Sequence, residues 1–342
     1  MSKVFKFGGA SVKNPKAIYN LKEIVSSYKE NLVIVISAID KTTNKLELVW
    51  KNYLENKTLK STEIAKEIIK FHKAIIEDLE LNNNSDFLKL FNDLTQELVD
   101  YIGAKTKQEN NISYSKIVSF GELFSTLIIS SYLNKEDVEN TWIDAREFIK
   151  TSNNATDSRV NWEETKRKIN SNLSKNKTYL TQGFIGSNLN GVTTTLGREG
   201  SDFSAAIFAW SMDVEEVIIW KDVDGLLNAD PKWFDKTQIL KKISFKEAIE
   251  LSYLGASVIH PNTVKPLENK NIPLTIRSFI KKEHEGSSIS KLGKDDKSIP
   301  SVIYKPNQIL LSISSKDYSF IFEEHISDCL LYTSDAADDT PC

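Results

Sequence analysis

The chain has 342 residues, 40% hydrophobic and 27% charged, which gives it material for a sizeable core and excludes a disordered chain. The 44 basic and 47 acidic residues leave a net charge of −3, which offers no support for a nucleic-acid surface or a polybasic membrane anchor. Two cysteines, Cys329 and Cys342, exclude a disulfide scaffold and a multi-cysteine zinc site, and 13 glycines with 8 prolines exclude collagen-like repeats.

At about 150 residues per domain the length suggests roughly two domains. Residues 3–7 alternate basic and apolar side chains and stop at Gly8 and Gly9, as a short strand and a tight turn do. Pro15 suits a first helical turn, and Ile18, Leu21, Ile24 and Val25 mark one helical face. Residues 32–36 form an apolar run rich in β-branched side chains, a strand buried on both faces. This β-α-β unit predicts a parallel sheet with a right-handed crossover. The N-terminus has glycines where a signal peptide needs a long apolar stretch. The run 32–36 is the longest clear apolar one, far short of the roughly 18–20 residues of a membrane span. A cytoplasmic protein without membrane or nucleic-acid partners is expected.

From about residue 45 to 138 the pattern is almost wholly helical. Ile64, Ile68, Phe71 and Ile75 mark one face; Phe87, Leu90, Phe91, Leu94 and Leu98 mark another. Loops are expected at 82–85 and 105–113. So long a block without strands reads as a helical lobe on an α/β core. Strands at 179–181, 217–220 and 274–276, with helices at 204–210 and 246–254, make the class α/β. Residues 291–298 read as a polar linker, 309–313 as a further strand and 317–325 as the start of a helix. After Cys329 the sequence has no period, and the chain has no internal repeat.

Three stretches carry chemistry. In KFGGAS, residues 6–11, glycines between a strand and a helix let backbone N–H groups approach phosphate oxygens, within reach of Lys6. The plainer alternative is a tight turn beside a surface lysine. In TTTLGREGSD, residues 193–202, Gly197 and Gly200 flank Arg198, and Ser201 and Asp202 fall where a helix N-cap belongs. A helix N-terminus is an anion site, so Asp202 either caps the helix or orients a lysine near phosphate. Arg198 is one of only five arginines, whose planar fork suits carboxylate and phosphate oxygens. In WKDVDGLLNADPK, residues 220–232, a strand ends at Trp220, and the polar loop lies where open α/β sheets bind ligands; a simple Asp-Gly turn is the alternative. No Walker loop is present, since Val192 and Thr193 follow Gly186 and Gly191 without a lysine, and no G-x-G-x-x-G follows a strand. His72, His260, His284 and His325 have no metal-ligand spacing, and no serine sits in a G-x-S-x-G elbow. Any phosphate is therefore handled by machinery that is neither P-loop nor Rossmann.

KFGGAS, the S-A-x(4)-T-N run at 37–44, SFGE at 119–122, QGFIG at 182–186, TTTLGREGSD, WKDVDGLLNADP and GASVIHP at 255–261 occur in this order. Together, over about residues 3–290, they resemble the aspartate kinases of the amino acid kinase family, and among them the monofunctional Bacteroidetes-type enzymes. The resemblance implies an α/β three-layer sandwich with a mainly parallel sheet and a helical lobe. Residues 1–300 would be the catalytic domain, with the lobe at about 45–138. Residues 301–328 would be the truncated start of an ACT regulatory module, and 329–342 resemble nothing in the family. The implied activity is ATP-dependent phosphorylation of the L-aspartate β-carboxylate to 4-phospho-L-aspartate, the first step towards lysine, threonine and methionine. Mg²⁺ would arrive with ATP rather than on a direct protein site. Full-length relatives are expected to be homodimers through the ACT region.

Carried over by residue, the resemblance gives Lys6 the task of neutralising the transferring phosphoryl group. Asp202 would orient Lys6 and reach Mg²⁺ through water. Gly8, Gly9, Ser11, Arg198, Gly200 and Ser201 would hold phosphates. Lys221, Asp222, Gly225, Leu227, Asp230 and Lys232 would form the nucleotide loop, Lys232 replacing an arginine of relatives. Ser37, Thr43, Asn44, Glu122 and Arg159 would bind aspartate, Glu122 at its α-amino group. Arg159, the only arginine in 151–162, would clamp a carboxylate, with Thr156 as the other occupant of that position. No general base is required, because the attacking carboxylate is ionised at neutral pH. Asp40 stands where relatives often carry glycine, and Ser257 replaces a lysine that some relatives hold near the nucleotide. The alternatives are a kinase for glutamate or N-acetylglutamate, and a non-catalytic sensor of ATP or an amino acid. Glu122 with the complete TTTLGREGSD favours the aspartate kinase.

Overall fold

In the computed structural model, which describes residues 2–104, 109–254, 259–291 and 299–304, β1 (Ser2–Phe7) and β2 (Asn31–Ile36) pair in parallel around α1 (Pro15–Ser26). A 3-10 turn at Gly9–Val12 follows β1. Pro15 opens α1, and the Asn14 side chain caps it by accepting the Ala17 N–H at 2.9 Å. The helical lobe follows as α2 (Thr42–Leu54), α3 (Thr58–Asp78), α4 (Ser85–Gly103) and α5 (Asn110–Lys135). Asn84 caps α4 through the Phe87 N–H. The loop expected at 105–113 is shorter, because helix begins at Asn110. Its polar first turn is satisfied within the lobe: Ser113 Oγ donates to the Asn110 carbonyl and accepts Trp50 Nε1–H at 3.1 Å.

α5 is apolar all round. By length and composition it is the one helix among the described residues able to cross a membrane, although no single unbroken run in the sequence marks it. It packs instead against the sheet and against α2 and α4, with 83% of its most apolar stretch buried, and so serves as the central core helix.

β3 (Thr141–Ile143), α6 (Ala145–Phe148), β4 (Lys150–Thr151), α7 (Trp162–Asn172), β5 (Tyr179–Gln182), β6 (Ile185–Asn188), β7 (Thr193–Thr195), α8 (Gly200–Met212) and β8 (Glu216–Lys221) come next. β9 (Lys242–Ser244), α9 (Phe245–Leu254), α10 (Pro261–Lys270), β10 (Leu274–Ser278) and β11 (Ser287–Ser290) complete the described elements. The main sheet runs β3-β5-β2-β1-β8-β10-β11-β9, with every neighbouring pair parallel except β10 and β11. A second sheet, β4-β6-β7, was not expected; two to four residues rich in Thr, Ser and Gly are too few to show a period.

Strand alternation decides what faces the site. Phe5 and Phe7 point to one side of β1, where Trp220 stacks on Phe7 and Tyr28 and Phe279 pack edge-on. Lys6 points to the other side, which α8 covers across β1, β2 and β8. The described residues form one compact unit through Tyr304. The expected strand at 309–313, helix at 317–325, most of the linker at 291–298 and Ser257 lie outside the described residues.

Candidate active site

The carboxyl ends of β1, β2 and β8 lie side by side, where parallel α/β sheets bind ligands. Lys6 is the penultimate residue of β1, and Lys221 ends β8 on the same sheet face. Both reach Asp202 in the first turn of α8. Lys6 Nζ lies 2.6 Å from Asp202 Oδ1, and Lys221 Nζ lies 3.0 Å from Oδ2. Asp202 is fully buried and Lys6 only 6% exposed. Burial works to raise the Asp202 pKa, but the two ammonium groups outweigh it and hold the carboxyl below its ordinary value. Two cations on one anion leave a net positive cluster, suited to an incoming phosphate.

This geometry corrects the expected helix cap. α8 starts at Gly200, and its N-cap is Glu199, in the left-handed region with φ 54° and no side-chain cap. Asp202 sits inside the helix and spends both carboxylate oxygens on lysines. Ser201 is half-buried against Gly183, where a Cβ would fall 2.5 Å from the Ser201 Cβ. Gly183 thus lets β5 close on the start of α8. Its place in the QGFIG run was visible in the sequence, but its steric duty was not.

The turn after β1 packs backbone against backbone on the connection after β2. A Cβ on Gly9 would fall 2.9 Å from the carbonyl oxygens of Ala38 and Asp40, and the Gly9 carbonyl accepts the Asp40 N–H. A Cβ on Gly8 would lie 3.5 Å from Lys6 Nζ, so this turn borders the cationic cluster. Ser11 is buried, and its hydroxyl donates to the Trp220 carbonyl at 3.4 Å. It ties the turn to β8. The Ser37 N–H donates to the Phe7 carbonyl, and its own carbonyl accepts Ser125 Oγ–H at 2.7 Å. Asp40 takes a left-handed conformation, φ 51°, a backbone region that glycine adopts without steric cost.

Glu122 comes from α5 to the connection after β2, beside Ala38 and Thr43. It is 2% exposed, and its Oε2 has no hydrogen-bond partner among the described residues. Burial pushes its carboxyl up to about 8, against hydrogen bonds from the backbone and the Thr43 side chain that pull it down. Thr43 is half-buried and Asn44 exposed in the first turn of α2.

Arg159 and Arg198 are both exposed. Their segments meet: Ser158 N–H donates to the Thr195 carbonyl at 2.9 Å, and a Cβ on Gly197, φ 72°, would run into the Asp157 carboxylate. Thr156 is half-buried beside them.

In the third stretch Asp222, Asp230 and Lys232 are exposed and Leu227 is half-buried. Leu227 bridges Ile239 in antiparallel fashion, and Asp230 accepts the Lys232 N–H at 2.9 Å. Gly225, φ 152°, lies over Ser287, whose hydroxyl oxygen accepts the Leu226 N–H at 2.8 Å. Asp224 is drawn off to Lys281 at 2.6 Å, and that hydrogen bond holds its carboxyl low. The sequence reading placed Lys221 with this loop; its ion pair with Asp202 shows only when the register of β1 and β8 is known.

Comparison with known proteins completes the picture. The sequence profile of the amino acid kinase family matches residues 1–278. The chloroplastic bifunctional aspartokinase/homoserine dehydrogenase 2 of Arabidopsis thaliana is 33% identical over 306 residues, 86% of this chain and 33% of that protein. The chloroplastic aspartokinase 1 of Arabidopsis thaliana is 32% identical over 324 residues, 91% of this chain and 56% of that one. Among solved structures, E. coli aspartokinase III in complex with aspartate and ADP superposes with a TM-score of 0.76 at 29% identity, over 86% of this chain and 66% of that one. The chain therefore spans between a third and two thirds of the length of these relatives.

Proposed function

From the premise that the chain belongs to the amino acid kinase family, we propose that it transfers the γ-phosphoryl group of ATP to the β-carboxylate of L-aspartate, giving 4-phospho-L-aspartate and ADP. The observation that carries the reading is the Lys6–Asp202–Lys221 cluster at the carboxyl ends of β1 and β8, with the buried Glu122 at the connection after β2 on which the Gly9 turn packs. The relatives named above are aspartokinases, and one solved structure holds aspartate with ADP.

In the proposed reaction a β-carboxylate oxygen attacks the γ-phosphorus while the bond from that phosphorus to the β–γ bridging oxygen breaks. No proton need move, since the nucleophile is already ionised. The work left for the protein is positioning and charge stabilisation. Lys6 and Lys221 neutralise charge on the phosphoryl oxygens, held by Asp202. The Gly8–Gly9 backbone, Gly200, Ser201 and Arg198 line the phosphates, while Ser11 holds the turn from behind. Asp222, Gly225, Leu227, Asp230 and Lys232 shape the nucleotide loop. Glu122, ionised when substrate binds, takes the α-ammonium group through its unpaired oxygen; Ser37, Thr43, Asn44 and Arg159 complete the aspartate side.

Because both Asp202 oxygens face lysines, the carboxylate does not fit a direct metal ligand. Mg²⁺ would enter with ATP and would supply neutralisation of phosphate charge, with Asp202 near enough to reach it only through water. Residues 1–300 are proposed as the catalytic domain and 301–328 as the beginning of an ACT module. The reaction would be the cytoplasmic first step towards lysine, threonine and methionine.

Incubation with ATP, Mg²⁺ and hydroxylamine tests the reading, because an acyl phosphate is trapped as a hydroxamate. Aspartate hydroxamate is expected. Product from glutamate but not from aspartate would sink the assignment.

A further inference from the structure

Asn228 lies inside the nucleotide loop, yet its hydrogen bonds point away from the lysine cluster. Its N–H donates to the Gln238 carbonyl at 2.9 Å, and its Oδ1 accepts the Gln238 N–H at 2.8 Å. These two bonds close the loop on its own returning chain. Its Nδ2 donates to the Pro300 carbonyl at 3.1 Å, and its carbonyl accepts the Val302 N–H at 2.8 Å. These two bind the loop to residues 299–304, which run alongside it. That segment is anchored at one end by Ile299, packed on the core, and at the other by Tyr304, whose ring meets Trp233 edge-on at 4.9 Å. Trp233 directly follows Lys232 at the exposed tip of the loop. Leu226 and Ala229 are buried and seat one side of the loop on the core, while Asp222, Asp230 and Lys232 are exposed, so the shape of the outer side depends on such backbone bonds.

We propose that residues 299–304 form a strap that fixes the nucleotide loop, with Asn228 as its positioning residue, so that holding or releasing the strap tunes ATP affinity while leaving the aspartate side unchanged. The inference rests on residues 221–232 being the nucleotide loop. The aspartate side is built on α5 and the connection after β2, across the Gly8–Gly9 turn, and is remote in chemistry from the strap.

The test uses the full chain and measures MgATP affinity by calorimetry with no aspartate present. Val302→Pro removes the N–H given to Asn228 without altering the loop sequence. Asn228→Asp keeps the acceptor for Gln238 but turns the Pro300 donor into a second acceptor. One net hydrogen bond predicts about a fivefold loss of ATP affinity in each variant. The KM for aspartate should stay within about twofold, and Trp233 emission, taken as the difference from Trp233→Phe, should shift to the red as the Tyr304 contact opens. Tyr304→Ser, an exposed change that cannot unfold the core, should show the same red shift with a smaller affinity loss. The strap is refuted if ATP affinity in these folded variants matches wild type, or if the aspartate KM rises in parallel. A wild-type chain that binds no ATP overturns the strap together with the kinase reading. One that binds ATP with the predicted strap effect, but does not phosphorylate aspartate, sinks only the acceptor assignment.

Discussion

A buried carboxylate with a lysine on each oxygen tolerates the loss of one lysine far better than the loss of the carboxylate. Lys6→Met leaves Asp202 paired with Lys221, so the fold should survive while kcat falls by about two to three orders of magnitude or more, as removal of a charge-stabilising donor does. A circular-dichroism melt beside a turnover assay checks this; near-wild-type kcat would refute the phosphate role. Asp202→Asn removes the buried anion that faces the Lys6 and Lys221 ammonium groups and should cost about 3–5 kcal/mol of stability. Because the folded pKa of Asp202 lies below its unfolded value, its stabilising share is present above about pH 4 and disappears as the pH falls further. Glu122 runs the other way. Its pKa rises from 4.5 unfolded to about 8 folded, so the empty protein binds the extra proton in that window and loses stability as pH climbs through it. Melting of Glu122→Gln should be flatter between pH 5 and 8, and aspartate affinity of the wild type should weaken as pH drops below about 8. Invariant aspartate affinity across that range would remove Glu122 from the ammonium site. Lys6 and Asp202 stood out in the sequence because their motifs bracket glycines and a helix start, whereas Glu122, in the middle of α5, was marked only by the resemblance to the aspartate kinases. The pairing of Lys221 with Asp202, and the inward bond of Ser11, depend on strand register and were not legible there.

Among the elements, α1 was legible from Pro15 and its apolar spacing, and the lobe from its helical period. α5 reads poorly at its ends because a core helix apolar on every side has no polar stripe to mark it. β4, β6 and β7 are too short to carry a period, yet they set the segment bearing Arg159 against the loop bearing Arg198. The lobe also holds a titrating weak point. His72 on α3 is fully buried against Phe71 and Phe124, its Nδ1–H donates to the Ile68 carbonyl at 2.8 Å, and its Nε2 has no hydrogen-bond partner among the described residues. Burial drops its pKa to about 4. The unfolded chain takes up a proton near pH 6.5 that the folded chain refuses, so stability falls as pH goes from 6.5 towards 4. At pH 5 this amounts to about 2 kcal/mol, and His72→Leu should recover most of it while changing little at pH 8. Equal melting losses in both proteins on acidification would place the acid-sensitive group elsewhere.

At the scale of the molecule, the site is a product of parallel pairing. Residues 6, 37, 122, 202 and 221 are spread over most of the kinase-like region, and the adjacent carboxyl ends of β1, β2 and β8 gather them at one edge. The alternation of strands and helices made the α/β class readable, while the second sheet and the strap at 299–304 are long-range pairings with no local signature. The account's central claim is that this edge moves a phosphoryl group from ATP to the side chain of aspartate. Phosphorus NMR on the full chain with ATP, Mg²⁺ and aspartate tests it most directly. The account predicts an acyl-phosphate resonance growing in step with ADP, absent with glutamate and absent in Lys6→Met; ADP appearing with inorganic phosphate alone, at the same rate with or without aspartate, would contradict it.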